Sequence, residues 1–191
     1  MMLKMLAFAW LACASLALTI VPPQLPTLHR DDARTRELIS EGLSVGRIYV
    51  GRSTAADVAD VYGKTFETVE HGAQPSELRY ASLGLSFYYC REDEQKRIVR
   101  VEARPPFESF TARGIILGKS TVNDVLKAYG QSEPKSSAAN DSWFYTYPGI
   151  EFHVGRRDSG DKPASPRSGS KITAIAVVAN GGAVCPTTNA K

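Results

Sequence analysis

Histidine and cysteine are scarce in this sequence, and their scarcity limits the chemistry that it can support. There are three of each among 191 residues. The histidines, His29, His71 and His153, stand at no spacing that builds a metal site, and the zinc signature H-E-x-x-H does not occur. We therefore expect no metal and no cofactor.

A complete phosphate-binding loop is also missing, although residues 118–121, GKST, look like the end of one. Such a loop has the pattern G-x-x-x-x-G-K. Gly114 and Gly118 lie one residue too close for it, and the residues between them, IIL, form an apolar run. We interpret GKST as the cap of a helix and expect no nucleotide site.

The signature of a serine nucleophile, G-x-S-x-G, occurs in GLSVG around Ser44. It requires a strand before the serine and a helix after it. The order is reversed here, because DDARTRELIS (31–40) is predicted to be a helix and RIYV (47–50) a strand. Ser44 is therefore not expected to be catalytic.

Two aspartates, Asp57 and Asp124, occupy the same place in two similar segments of the chain. A catalytic pair needs different environments to separate its two pKa values, so identical places favour helix capping. We predict no catalytic residue. An exported enzyme that uses His153 and Glu151 is a further alternative, although the favoured interpretation of His153 is an exposed polar position on a strand.

Long apolar runs are limited to one, Met5–Val21, which follows Lys4 and precedes PPQLP. A cation, an apolar run and small residues are the parts of a secretory signal peptide. We predict a signal peptide at residues 1–20, followed at 21–36 by a Pro-rich linker and the start of an N-terminal helix. The protein is then extracytoplasmic, in the periplasm or secreted. The run is also just long enough to stay as a membrane anchor.

Cys13 offers a second kind of anchor. WLAC places Ala12 before this cysteine, as lipoprotein signals do, although Trp10 stands where they normally have a small aliphatic residue. A lipid on Cys13 would make the Pro-rich stretch a stiff tether, because proline favours extended conformations. Otherwise Cys13 is part of the apolar run and is removed with it.

The other two cysteines, Cys90 and Cys185, form an even number in an oxidising compartment, which favours a disulfide. On the chain-entropy account a bridge over so long a loop stabilises the fold by up to about 4.7 kcal/mol. Two free buried thiols are the alternative.

Positive charge is concentrated in one segment. The formal net charge is +3, and residues 156–171 alone carry five cations against two acids. The segment is rich in Gly, Ser and Pro, so we predict a mobile loop at 155–170. It has no interleaved aromatics, and no nucleic-acid partner is expected. Attraction to an anionic envelope surface is the alternative to a solvated loop.

Two segments of the chain repeat each other. Residues 51–63, GRSTAADVADVYG, align without gaps to residues 118–130, GKSTVNDVLKAYG. The likeness continues from LRYASLGLSFYY (78–89) to WFYTYPGIEFHV (143–154). We predict two tandem repeats, at 37–104 and 105–180, followed by a C-terminal tail at 181–191.

Each repeat is predicted to hold a short helix followed by antiparallel strands. Ser or Thr caps the helix, the aspartate three residues later completes a capping box, and Gly63 or Gly130 ends it. A period of two then marks strands whose buried residues are Leu85, Phe87 and Tyr89 in one repeat and Ile150, Phe152 and Val154 in the other. The expected fold is α+β, each repeat being a short helical segment packed on an antiparallel β-sheet.

The stretches VGRSTAADVADVYG and LGKSTVNDVLKAYG, each followed by an aromatic strand, resemble the tandem units of the β-lactamase-inhibitor-protein fold. They are also similar to the unit of small outer-membrane assembly lipoproteins. The resemblance covers most of residues 43–179 and concerns caps, glycines and core positions. It implies a sheet with one face open to a protein partner. None of the inhibitors' contact residues is matched, so inhibition of a β-lactamase is not implied.

The open sheet face is the predicted site. Strand alternation places five residues opposite the helix-packed core: Tyr88, Arg100, Glu102, Glu151 and His153. Tyrosine and arginine are enriched at protein–protein hot spots. We predict a non-enzymatic module that binds a protein partner, not yet identified, through this face. The alternatives are a structural envelope lipoprotein tethered through Cys13 and an ordinary solvated sheet face.

Overall fold

The computed structural model describes residues 36–72, 75–137, 142–155 and 165–179, together with residue 185. These residues belong to one unit that spans residues 34–191. The predicted signal peptide, almost all of the linker, Cys13, most of the basic loop and most of the C-terminal tail lie outside the described residues. Those interpretations stay predictions.

Two helices and twelve strands occur in the described part of the chain. In chain order they are β1 (Glu37–Ser40), β2 (Ser44–Val45), β3 (Ile48–Tyr49), α1 (Ala55–Tyr62), β4 (Glu67–Val69), β5 (Ser76–Tyr80), β6 (Leu85–Tyr89), β7 (Ile98–Ala103), β8 (Ser109–Thr111), α2 (Val122–Tyr129), β9 (Lys135–Ser137), β10 (Ser142–Tyr147), β11 (Ile150–Val154) and β12 (Ile172–Val178). The fold is mixed α+β and mostly β, as its predicted class requires.

The strands form two sheets. The larger has eight strands in the order β4-β5-β6-β7-β12-β11-β10-β9, and every neighbouring pair is antiparallel. Its centre is the pairing of β7 with β12, which joins strands from the two halves of the chain. The smaller sheet has the order β3-β2-β1-β8, and β1 pairs with β8 in parallel.

Both helices begin at a threonine with a complete capping box. The Asp57 carboxylate accepts from the Thr54 backbone N–H at 2.7 Å, and the Asp124 carboxylate accepts from the Thr121 N–H at 2.8 Å. Each threonine hydroxyl in turn accepts from the N–H of its aspartate. This confirms the helix-cap interpretation of GKST, because its last residue is the N-cap of α2.

Both helices end as predicted, at Gly63 and at Gly130, with φ of +88° and +95°. These values lie in the region that favours glycine, which explains why the sequence places glycine there.

The predicted helix at 31–40 is wrong over its last four residues, because Glu37–Ser40 is strand β1. Ile39 is completely buried, and β1 has a strand partner on each side, β2 and β8. These tertiary pairings outweigh the helix preference of the segment by itself. The apolar run at 115–117 contributes a single isolated bridge, between Phe110 and Ile116.

The helices pack on one face of the eight-stranded sheet. Tyr62 of α1 lies 5.4 Å from Phe87 and Tyr129 of α2 lies 4.9 Å from Phe152, between ring centroids. The predicted alternation in β6 and β11 is confirmed, since its six core residues are all buried: Leu85, Phe87, Tyr89, Ile150, Phe152 and Val154. The side chains between them therefore point to the opposite face.

Cys90 and Cys185 form a disulfide, with Cα atoms 5.4 Å apart and a sequence separation of 95 residues. A disulfide is compatible with an extracytoplasmic location.

None of the helices among the described residues is long and apolar enough to cross a membrane.

Candidate functional site

The face of the eight-stranded sheet that points away from the helices carries the candidate site. All five predicted residues lie on it: Tyr88 on β6, Arg100 and Glu102 on β7, and Glu151 and His153 on β11. Together with Glu77, Arg79 and Ser86, which alternate onto the same side, and with Arg104 just beyond β7, we call this surface the polar face. It lines a concavity of about 1360 Å³.

Arg100 connects the two halves of the polar face. Its Nη1 donates to Glu151 Oε2 at 2.7 Å, and its Nη2 donates to Glu102 Oε2 at 3.4 Å. Because β12 lies between β7 and β11, the guanidinium has to cross β12 to reach Glu151. The Arg100 side chain can pass over β12 because the β12 residues opposite His153 and Glu151 are alanines, Ala174 and Ala176, whose side chains are single methyl groups.

His153 belongs to the same network. Its Nε2 lies 3.2 Å from Arg100 Nη2 and 3.5 Å from Glu151 Oε2. The two neighbours place opposite demands on Nε2, which can accept from the Arg100 guanidinium only without a proton and can donate to the Glu151 carboxylate only with one. The ring also stacks on Phe144, with centroids 5.7 Å apart. His153 is only 8% exposed, which corrects the expectation of an exposed polar position.

Glu151 is held in its charged form. Burial by itself raises the pKa of its carboxyl group, but the hydrogen bond with His153 and the charge of Arg100 outweigh this and lower the pKa to about 2. For Arg100, burial by itself lowers the pKa of the guanidinium, but the charges of Glu151 and Glu102 outweigh this and raise it. The pair is therefore ionised at any physiological pH.

A second cluster surrounds Glu77 on β5. Arg79 donates to both of its oxygens, at 2.9 and 2.8 Å, and Ser86 donates to Oε1 at 2.7 Å. His71 Nε2 lies 2.9 Å from Oε2. Burial raises the pKa of Glu77, but the hydrogen bonds from Arg79, Ser86 and His71 outweigh it and lower the pKa.

Sequence reasoning missed this second cluster. Glu77 and Arg79 are two residues apart on one strand, and that spacing is the signal that could have placed both on the polar face.

Tyr88 lies between the two clusters. It is paired with Glu77 on one side and with Arg100 on the other, and the Arg100 Cζ is 6.0 Å from its ring centroid. Burial, followed by the charges of Glu102 and Glu77, raises the pKa of Tyr88 to about 12. Its hydroxyl therefore stays protonated and can donate a hydrogen bond.

The charged side chains of the polar face are poorly suited to proton transfer. A carboxylate with a pKa of about 2 is a poor general acid or base near neutral pH, and this describes Glu151. Ser86 donates to Glu77, whose lowered pKa makes its carboxylate a weak base. Within the described ranges no group of three or more His, Cys, Asp or Glu side chains could hold a metal ion.

Comparison with known proteins gives little. No family model matches the sequence, and no curated protein matches it. Among solved structures, the chain is similar to a DUF4309 family protein (YjgB) from Bacillus subtilis, with 14% identity and a TM-score of 0.38 over 70% of this chain and 84% of that one. A likeness at this level supports no inference about this protein.

Proposed function

We propose that this protein is an exported, non-enzymatic module that binds another protein through the polar face. The observation that carries the proposal is the Arg100 network, which fixes side chains from β7 and β11 beside Tyr88 in one concavity. Side chains that are already held in place lose little conformational entropy when a partner binds. Tyrosine and arginine are also the residues that most often dominate binding energy.

An ordinary solvated sheet face is the competing interpretation. Charged side chains on such a face are mostly exposed and gain little from pairing. Here the side chains of Glu102 and Glu151 are only 7% and 18% exposed. Removing carboxylates from water is costly unless their geometry is fixed by several donors. The network on the polar face therefore supports a specific surface.

The absence of enzymatic activity is part of the proposal. It is supported by the low pKa of Glu151 and by the pairing of Glu102 and Glu151 with one guanidinium. Two carboxylates that work as acid and base need environments that separate their pKa values around neutrality.

We also propose that the chain is a tandem repeat of the kind that the β-lactamase-inhibitor-protein fold contains. Support comes from contacts that recur 67 residues apart. Tyr80 donates to the Gly63 carbonyl at 2.7 Å, and Tyr147 donates to the Gly130 carbonyl at 2.8 Å. The sheet order, β4-β5-β6-β7 followed by β12-β11-β10-β9, is also symmetric about its centre. The assembly lipoproteins contain one such unit, so a likeness to them rests on the same support.

Export rests on the predicted signal peptide, with which the disulfide is compatible. A lipid on Cys13 would add a tether to the same binding module. If Cys13 carries a lipid, the substitution Cys13→Ser should release the protein from membranes. If Cys13 carries none, the substitution should leave the division of the protein between membrane and soluble fractions unchanged.

The proposal is tested by capture of partners from an envelope extract, with bound proteins identified by mass spectrometry. The purified protein is compared with Tyr88→Ala and with the matched control Tyr49→Ala, which removes an exposed tyrosine from the smaller sheet. We expect a protein that is captured by the unmodified chain and by the control, and lost with Tyr88→Ala. Equal capture by all three, with each variant shown to be folded by circular dichroism, would contradict the proposal.

A further inference from the structure

In two ion pairs of the polar face, Glu77–Arg79 and Glu102–Arg104, the carboxylate is buried and the arginine is exposed. The side chain of Glu77 is 4% exposed and that of its partner Arg79 is 39% exposed. The side chain of Glu102 is 7% exposed and that of Arg104 is 53% exposed. A partner that enters the concavity therefore meets guanidinium groups first. From this arrangement we infer that the partner presents an acidic segment, whose carboxylates bind Arg79 and Arg104; the inference rests on the proposed function.

Each of these guanidinium groups keeps donors for a ligand. Arg79 uses Nε and Nη2 on Glu77, and its Nη1 makes only a 3.6 Å contact with the exposed Glu67. Arg104 uses Nε and Nη2 on Glu102, and its Nη1 has no hydrogen bond within the described residues. Since a guanidinium has five N–H donors, Arg79 and Arg104 can each donate hydrogen bonds to a second carboxylate on the side away from Glu77 or Glu102.

The buried carboxylates do not cancel this attraction. An incoming carboxylate would approach the guanidinium nitrogens to about 3 Å but would stay roughly twice as far from the carboxylate beneath, and Coulomb energy falls with distance. The buried partner also holds the arginine in one conformation, so little side-chain entropy remains to be lost on binding. Glu77 and Glu102 thus act as positioning residues for Arg79 and Arg104.

The shape of the site favours a polypeptide over a lipid surface. Arg79 lies on β5 and Arg104 just after β7, so they stand on opposite sides of β6 along the concavity. Pro105, which follows Arg104, and Pro148 and Val178 on the β12 side of β7 add apolar lining to the concavity. A chain with carboxylates and apolar side chains can fill such a space, whereas the headgroups of a flat bilayer meet only its rim.

The test is selection of binding peptides from a random twelve-residue display library on the purified full-length protein. We expect the selected peptides to be enriched in Asp and Glu over the starting library. Their affinity should fall at least tenfold with Arg79→Gln/Arg104→Gln and should also fall as salt is raised. The control Arg52→Gln/Lys119→Gln removes the same charge from other exposed positions and should change affinity less than twofold.

The outcomes separate this inference from the proposed function. Peptides that lose affinity with Tyr88→Ala but show no acidic enrichment, or no salt dependence on the unmodified protein, would overturn the inference and leave the binding function standing. Failure to select any peptide, or peptides indifferent to Tyr88→Ala, would count against both. A third outcome would be that no acidic peptides are selected, while phosphatidylglycerol vesicles bind the unmodified protein and do not bind Arg79→Gln/Arg104→Gln. This outcome would show that the arginines bind anionic lipid, and it would overturn the inference of an acidic segment.

Discussion

Arg100 Nη1 on β7 lies 2.7 Å from Glu151 Oε2 on β11, although the two strands are not neighbours in the sheet. The side chain of Arg100 is 24% exposed and that of Glu151 is 18% exposed, so the pair is largely removed from water. Since β7 and β11 come from different halves of the chain, this ion pair links the halves across β12.

Loss of one member of the pair should destabilise the fold. Arg100→Met removes the cation and leaves Glu151 partly buried without it, which we expect to lower the free energy of unfolding by about 3 kcal/mol. Urea denaturation followed by circular dichroism measures the change. In a double-mutant cycle, Arg100→Met/Glu151→Met should cost clearly less than the sum of the single changes. Additive costs would show that the two side chains do not interact.

Acid should weaken the protein through Glu151. The folded pKa is lowered from 4.5 to about 2, so the carboxylate stabilises the fold fully above pH 4.5 and loses this contribution as the pH falls towards 2. Urea denaturation at several pH values between these limits should show a steeper loss of stability for the unmodified protein than for Glu151→Gln. Glu77, whose pKa is also lowered, keeps some acid dependence in that variant. Identical slopes for the two proteins would contradict the assignment.

The capping role of GKST leads to a different test. Thr121→Ala removes the hydroxyl that accepts from the Asp124 N–H, and we expect it to lower the free energy of unfolding by about 1 kcal/mol. Lys119→Ala, two residues earlier, removes the residue that a phosphate site would need and should change stability by less than about 0.5 kcal/mol. If Lys119→Ala proves the more damaging of the two, the capping interpretation does not hold.

Reduction of the disulfide should lower thermal stability. Cys90 and Cys185 are 95 residues apart in sequence, and on the chain-entropy account a loop of that length contributes up to about 4.7 kcal/mol. We expect the melting temperature to drop when a reductant is added, as measured by differential scanning fluorimetry. The variant Cys90→Ser/Cys185→Ser should already melt at the lower temperature and should not respond to the reductant. A response there would point to an effect of the reductant elsewhere.

Local features of this fold could be predicted from the sequence. The caps at Thr54 and Thr121 depend on residues three positions apart, and the alternation in β6 and β11 depends on residues two positions apart. Such patterns are written in short stretches of chain. They are enough to place all five predicted site residues on one face of the eight-stranded sheet: Tyr88, Arg100, Glu102, Glu151 and His153.

Features that depend on distant pairing could not be predicted in the same way. The sequence predicts a helix where strand β1 lies because one of its two partners, β8, is about 70 residues further along the chain. The burial of His153 follows from Arg100, whose approach depends on the order of strands in the sheet. Nothing in the sequence around His153 specifies that β12 lies between it and β7, or that the β12 side chains at that point are small enough for Arg100 to pass over them.

The methyl group of Ala176 has a consequence for how the polar face could diversify. It is completely buried, and it stands between Glu102 and Glu151 in the pairing of three strands. A longer side chain there would occupy the space that the Arg100 guanidinium now fills. The surface would then divide into two smaller sites that could change independently, each with its own charge. If the polar face binds a partner as proposed, this single small residue decides whether the partner meets one surface or two.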